Sequence, residues 1–299
     1  MDKAKTKIGV IFTLAVIAVL ISVFVLAKPN TTPVPATNDK ADVPVIIPAH
    51  AVEVADNVFS LGTAQDVDGR IVEGFMFIDK KKGNANPNAV CGNGVCDGGE
   101  KKSCPADCSV GGGGTGTSTC FSLLAKGARW KTTEPYSTGS GTNITGIDAT
   151  LTETSLETWD SEIPSFNIFG ARNISGTTDG ADDVSPDGKN EVEFANLGDG
   201  DTIAVTITWG IFIGPPSGRE LVEWDATFNT AYPFGNYIPG DPTMMDYQNI
   251  ATHEFGHALG LAHPDDTCTE ETMYRFAGFN ETKKRDLNTG DIAGINSLY

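Results

Sequence analysis

The stretch His253-Glu254-Phe255-Gly256-His257-Ala258-Leu259-Gly260-Leu261-Ala262-His263 constrains this chain more than any other feature it carries. Residues four apart on an α-helix lie one turn apart on the same face. A helix here therefore stacks the His253 and His257 imidazoles so that both can grip one ion. Glycine readily adopts the left-handed conformation that ends a helix. At Gly260 the chain can turn back and deliver His263 as a third ligand. Three histidines leave the fourth tetrahedral position open, which marks a catalytic rather than a structural zinc site. The chain has four histidines and three of them fall in this motif, a concentration that a helix with scattered surface histidines does not produce. The fourth, His50, is assigned no role.

Glu254 adjoins the first ligand without being one. From that position a carboxylate can reach a water on the metal. Zinc lowers the pKa of such a water from about 15.7 to about 7. Glu254 is then the general base, taking the proton as the water attacks a carbonyl and returning it to the leaving amine. The ion polarises the carbonyl and stabilises the oxyanion.

The remainder of the 299 residues supplies context. Lys3, Lys5 and Lys7 precede an uncharged apolar run over residues 8–27. A run of about 20 such residues spans a bilayer as one helix, and lysines before it favour leaving that end in the cytoplasm. A cleaved signal ending at Val25-Leu26-Ala27 is the rival, although signal cores are usually about 7–15 residues. Residues 1–27 are read as an anchor or signal, with the anchor favoured. Both readings export the rest, and the expected location is membrane-anchored with the C-terminal domain outside. The formal net charge of −18 excludes nucleic acid as a partner, because an acidic surface repels phosphates.

Residues 28–50, rich in Pro and Thr, read as a stalk. Residues 51–90 read as a small β element: Val58-Phe59-Ser60-Leu61 and the run 71–78 flank the turn-like Asp66-Val67-Asp68-Gly69. One hairpin is marginal alone and must dock on something. In residues 91–108, Cys91, Cys96, Cys104 and Cys108 are too crowded by Gly and Asp to bury a core. Two disulfides are the first reading in an exported chain, and a four-thiolate zinc site is the alternative. With those four paired locally, Cys120 and Cys268 are left to pair with each other. Residues 109–117 form a Gly-rich linker, and residues 118–299 are long enough for a complete core.

Within that last segment Leu156, Trp159 and Ile163 predict a helix over about 148–163. Ile203, Val205, Ile207 and Trp209 alternate with Ala204, Thr206 and Thr208 as in a strand. Val222, Trp224, Ala226 and Phe228 predict a second strand. Asp246 can N-cap a helix running to about residue 259. Ile292, Ile295, Leu298 and Tyr299 mark the inner face of a terminal helix. Strands followed by helices point to an α+β fold.

The motif resembles that of metzincin metalloproteases, and most of all the matrixin branch. Glu271-Thr272-Met273-Tyr274 follows at the distance where the family places a methionine turn beneath the zinc. The ending Asp291-Ile-Ala-Gly-Ile-Asn-Ser-Leu-Tyr299 is similar to the last matrixin helix. The resemblance implies a zincin-like domain: a mixed twisted sheet with an active-site helix and a C-terminal helix, here behind the N-terminal helix and the Cys-rich segment. It implies one catalytic Zn2+, a polypeptide substrate, Met273 as the floor of the site, and Asp291 as the brace of the turn. It places the substrate-pairing edge strand on residues 202–209 and the specificity wall on 274–285.

Three departures stand out. No histidine lies between His50 and His253, so the family's second, structural zinc has no ligands of the usual kind. Calcium is the candidate replacement, on Asp179, Asp182, Asp183, Asp187, Asp199 and Asp201, because oxygen ligands suit it. The family's propeptide cysteine motif is absent. An aspartate pair in the last helix reads Gly290-Asp291, which removes the partner of a newly cut N-terminal ammonium. The two losses together predict activity without cleavage by the cysteine route, unless the β element at 51–82 covers the cleft by another contact. The function expected is hydrolysis of extracellular or surface proteins. A surface adhesion or scaffold protein with a vestigial protease fold is the alternative.

Overall fold

The computed structural model describes residues 47–82, 120–138, 149–173, 178–198, 200–236 and 243–299. The expected span at 8–27, the stalk up to residue 46 and the module carrying Cys91, Cys96, Cys104 and Cys108 lie outside the described residues. Among the described residues no helix is long and apolar enough to cross a membrane.

The described chain starts with three strands, β1 (Val52–Ala55), β2 (Val58–Gln65) and β3 (Ile71–Lys81). Next come β4 (Ser122–Leu123), β5 (Glu134–Ser137) and helix α1 (Ala149–Asp160). Then follow β6 (Phe169–Asn173), β7 (Glu191–Ala195), β8 (Thr202–Ile211) and β9 (Glu220–Asn229). Short pieces β10 (Phe234–Gly235) and β11 (Met245–Asp246) lead into helix α2 (Tyr247–Ala258). After α2 come β12 (Leu261–Ala262), β13 (Phe276–Ala277) and helix α3 (Thr289–Leu298). The fold is α+β, as expected.

The main sheet runs β1-β2-β3-β8-β9-β7-β5-β6, with β13 beside β3. It is mixed: β1, β2, β3, β8 and β9 are antiparallel in turn, whereas β7 joins β9, and β5 joins β7 and β6, in parallel. The β element docks, as a hairpin of marginal stability must, and its third strand is a member of the sheet of the domain that follows the linker. One expectation fails: the strand over 202–209 is not an edge, because β3 pairs along it from Glu73 opposite Gly210 to Lys80 opposite Thr202. Period and composition identify a strand, but the partner on its second edge comes from residues more than 120 positions away.

The alternation in β8 separates two cores. Val205, Ile207 and Trp209 pack with Leu61, Val72, Met76 and Ile78 of β2 and β3. Burial of side chains of this size contributes about 1.5–3 kcal/mol each. Ala204, on the alternate face, joins the larger core with Trp224, Ala226 and Phe228 of β9. Leu156 and Trp159 of α1 and Ile250, Phe255 and Ala258 of α2 complete that core. The positions facing α2 are small (Ala204, Thr206, Thr208), so the helix can lie close over the strand. The Trp159 indole donates to the Thr252 carbonyl (2.7 Å) and the Trp130 indole to that of Ala258 (2.8 Å), fixing α2 at its middle and at its C-terminal end.

Candidate metal centre

Helix α2 begins where its N-cap falls: the Asp246 carboxylate accepts from the Asn249 backbone amide at 2.8 Å. It presents His253 and His257 one turn apart. The chain then reverses at Gly260, whose φ of +93° lies in the left-handed region. Strand β12 pairs with β4, fixing the exit that carries His263 back. The Nε2 of His263 lies 3.1 Å from that of His257 and 3.3 Å from that of His253. Three ligands in tetrahedral array at the Zn–N length of about 2.0–2.1 Å are about 3.3 Å apart, so the three imidazoles fit one zinc.

The ring orientations are set from behind. His253 Nδ1 faces the Thr272 carbonyl at 2.7 Å and His257 Nδ1 faces that of Leu261 at 2.9 Å. A carbonyl can only accept, so each Nδ1 carries the proton and each Nε2 keeps its lone pair for a metal. Burial pushes all three imidazoles below the ordinary histidine range, His257 to about 3, and the Lys284 ammonium adds to the effect. They are neutral, as ligands must be.

Met273 lies under this helix. A Cβ at Gly256 would sit 2.1 Å from the Met273 sulfur, so the glycine leaves the space that the thioether fills. The turn carrying Met273 is braced by Asp291, which accepts from the amides of Thr272 (2.7 Å) and Met273 (3.1 Å) and caps α3 through Asn288 (2.9 Å). The departure at Gly290 has a steric reason: a Cβ there would lie 2.1 Å from the Cys120 carbonyl oxygen. Cys120 and Cys268 form a disulfide with Cα atoms 5.5 Å apart, which runs the incoming chain past this point.

Glu254 is fully buried. Its Oε2 accepts from the Thr206 hydroxyl at 2.5 Å, and its Oε1 has no protein partner. Burial, with Asp79 nearby, raises its pKa well above the usual carboxylate range.

Three residues that sequence reasoning missed complete the site. Asp79 of β3, 1% exposed, lies with a carboxylate oxygen within 4.8 Å of a His253 nitrogen and of the Glu254 carboxylate. Phe77 stacks on the His257 ring at 4.0 Å between centroids and meets His263 edge-on at 6.1 Å. Lys284 is fully buried; its ammonium donates to the Tyr274 carbonyl and faces Asp79, Glu281 and Glu254. No local signal announced the role of Phe77 and Asp79: the unbroken apolar run Phe75-Met76-Phe77-Ile78 marks a strand covered on both faces but not what covers it, and Lys284 sits in a run of surface-like charges.

The acidic stretch does not gather as expected. Asp179 and Asp187 pair with Lys189, Asp201 pairs with Lys81, and Asp199 lies outside the described residues. Among the described residues of that stretch only Asp182, and not Asp183, joins a group of potential ligands, with Glu223 and Asp225 of β9, whose oxygens all lie within 4.8 Å of one another. Glu223 Oε1 and Asp225 Oδ1 are buried there without partners. Burial comes first, and mutual repulsion adds to it, in raising Glu223 to about 8 and Asp225 well above the usual carboxylate range.

Comparison with known proteins agrees with this geometry. The matrixin peptidase family matches residues 149–299. Metalloendoproteinase 1-MMP of Arabidopsis thaliana is 39% identical over 56 residues, 18% of this chain and 14% of that protein. Human neutrophil collagenase is 46% identical over 50 residues, 17% of this chain and 10% of that protein. Matrilysin of Felis catus is 38% identical over 55 residues, 18% of this chain and 20% of that protein. The similar stretch thus spans a fifth or less of these relatives.

Proposed function

The chain belongs to the matrixin family, and on that footing we propose that it is a zinc-dependent endopeptidase cutting extracellular or surface proteins. The observation that carries the reading is the convergence of three neutral imidazole nitrogens beside a buried carboxylate with one unengaged oxygen. Zinc held by His253, His257 and His263 supplies an acidified water and a Lewis acid for the scissile carbonyl. Glu254 moves the proton. Thr206 holds its Oε2, which leaves Oε1 to take the proton of the attacking water and hand it to the leaving amine. Thr272 and Leu261 hold two of the rings in register through their carbonyls, and Asp291 holds Thr272 in turn. Met273 fills the space below.

Two finer parts of the reading accompany it. The apolar span at 8–27 behind three lysines supports a membrane tether with the peptidase domain outside. The carboxylates of Asp182, Glu223 and Asp225 support a calcium ion, since a hard dication with oxygen ligands would relieve their burial.

Metal analysis and hydrolysis together test the main proposal. The full chain should hold one zinc, and His257→Ala should lose it. The chain in its mature form should hydrolyse unstructured quenched peptides, stop on chelation and resume when zinc is returned. A zinc-loaded protein of which no form cuts any peptide would leave the adhesion or scaffold reading in its place.

A further inference from the structure

The third of the first three strands runs beside the site it precedes. Strand β3 lies between β8 and β13, antiparallel to the former and parallel to the latter, whose Phe276 and Ala277 pair with Lys80 and Lys81. An extended substrate beside the metal helix would need that slot. The Phe77 ring covers His257 and His263. Two residues on, an Asp79 carboxylate oxygen lies within 4.8 Å of a His253 nitrogen and of a Glu254 oxygen, in a group that touches the three-histidine cluster through His253 alone, and neither Asp79 oxygen has a hydrogen-bond partner. Such an arrangement is costly in isolation: a buried, unpartnered carboxylate beside a second buried carboxylate, with only the Lys284 ammonium facing both. A dication held by the three histidines supplies the missing positive charge.

We propose that Asp79 is a ligand of the catalytic metal, taking its open position on the Glu254 side, and that the segment 51–82 thereby holds the enzyme latent with β3 in the place of substrate. This deepens the zinc peptidase reading and rests on it. Asp79 does the work for which the sequence shows no cysteine, so the absence of the cysteine motif does not mean the absence of latency. The cover is also built into the fold. Met76, Ile78 and Val72 share a core with Val205, Ile207 and Trp209, and Arg275 beside the wall bonds Asp56 at 2.6 Å. A carboxylate and a strand tethered in the same chain compete at high effective concentration with any substrate in solution.

The test uses the full chain loaded with Co(II) in place of zinc, because the visible absorption of cobalt reports its ligands. Acetohydroxamate serves as a small probe of the open position. Asp79→Ala should change the cobalt spectrum and bind the hydroxamate at least about tenfold more tightly than wild type, since an occupied site lowers apparent affinity by the fraction left open. Asp79→Asn keeps the side-chain volume and should move both readouts in the same direction, so that a folding defect in the alanine variant cannot decide the matter. Peptide hydrolysis should also rise in both variants. Spectra and hydroxamate affinities identical to wild type in both would overturn the ligation. If cobalt binds no form of the protein, the metal site and this inference fall together. If the spectra respond but no variant cuts peptide, the ligation stands and the peptidase reading is the part that fails.

Discussion

Two regions meet at the metal centre and are held together by different physics. The C-terminal one, from α2 to α3, is a lattice of directed polar contacts. His253 leans on Thr272, Thr272 and Met273 donate to Asp291, and Gly290 and Asp291 donate through their amides to Glu271. Each contact needs one residue type at one position. The N-terminal one, β1 to β3, is held mainly by main-chain pairing and by one apolar face, with ion pairs such as Asp56–Arg275 at its margin. It needs little beyond the right period, except at Phe77, at Asp79 and at Gly74, where a Cβ would lie 2.7 Å from the Trp209 ring. Geometry at a reacting centre must be held to fractions of an ångström, whereas a covering strand needs register and burial alone. The first region should therefore respond sharply to single atoms and the second gradually to lost volume.

The largest expected effect is at Glu254. In any form that hydrolyses peptide, Glu254→Ala should cost about 10²–10⁴ in rate and leave zinc bound, because it removes the proton carrier and no ligand. Peptide turnover and metal content on the same sample check it, and a loss within tenfold would break the assignment.

Asp291→Ala tests the lattice. It strands the buried amides of Thr272 and Met273, each at about 1–3 kcal/mol. It also loosens the carbonyl that orients His253, so metal affinity should fall by about 10–100-fold. Urea melts with and without zinc would show both losses. Stability lost with metal affinity intact would separate the brace from the site.

Met76→Ala tests the other region. Truncation of this buried side chain should cost about 2–5 kcal/mol in a urea melt. By the contrast drawn above, the zinc affinity of the fraction that remains folded should stay within a few-fold of wild type. A loss as large as that of Asp291→Ala would show that the two regions are one lattice.

Calcium gives a smaller effect. At 100 times its dissociation constant a ligand of the folded state adds about 2.7 kcal/mol. Calcium should raise the melting temperature of the wild type and not of Asp225→Asn. An equal rise in both would remove Asp182, Glu223 and Asp225 as the site.

The smallest effect is a pH dependence outside both regions. Asp160 accepts from the amides of Ile168 and Phe169, yet burial raises it from 3.8 to about 6. A carboxyl raised in the folded state contributes stability that is full below its unfolded value and is lost as pH rises through the folded one. Asp160→Asn should therefore flatten the fall in melting temperature between about pH 4 and 6. An unchanged slope would return Asp160 to an ordinary carboxylate.

The sequence alone singled out His253, His257 and His263, Glu254 and the α+β class, and its resemblance to a known family added Met273 and Asp291. The gathering of the histidines rests on interactions between residues near in sequence: a helical turn between His253 and His257, a glycine reversal before His263, a cap at Asp246. Spacing encodes such geometry directly. The strand at 202–209 was legible as a strand for the same reason. The tertiary structure decided that this strand has neighbours on both sides, and that Asp79 and Phe77 of an apolar strand segment face the histidines. It likewise decided that Asp182 rather than its acidic neighbours joins Glu223 and Asp225, and that Lys284 is buried. Each of these is a pairing between residues far apart in the chain, and a strand's period fixes which residues share a face but leaves open what that face or edge will meet.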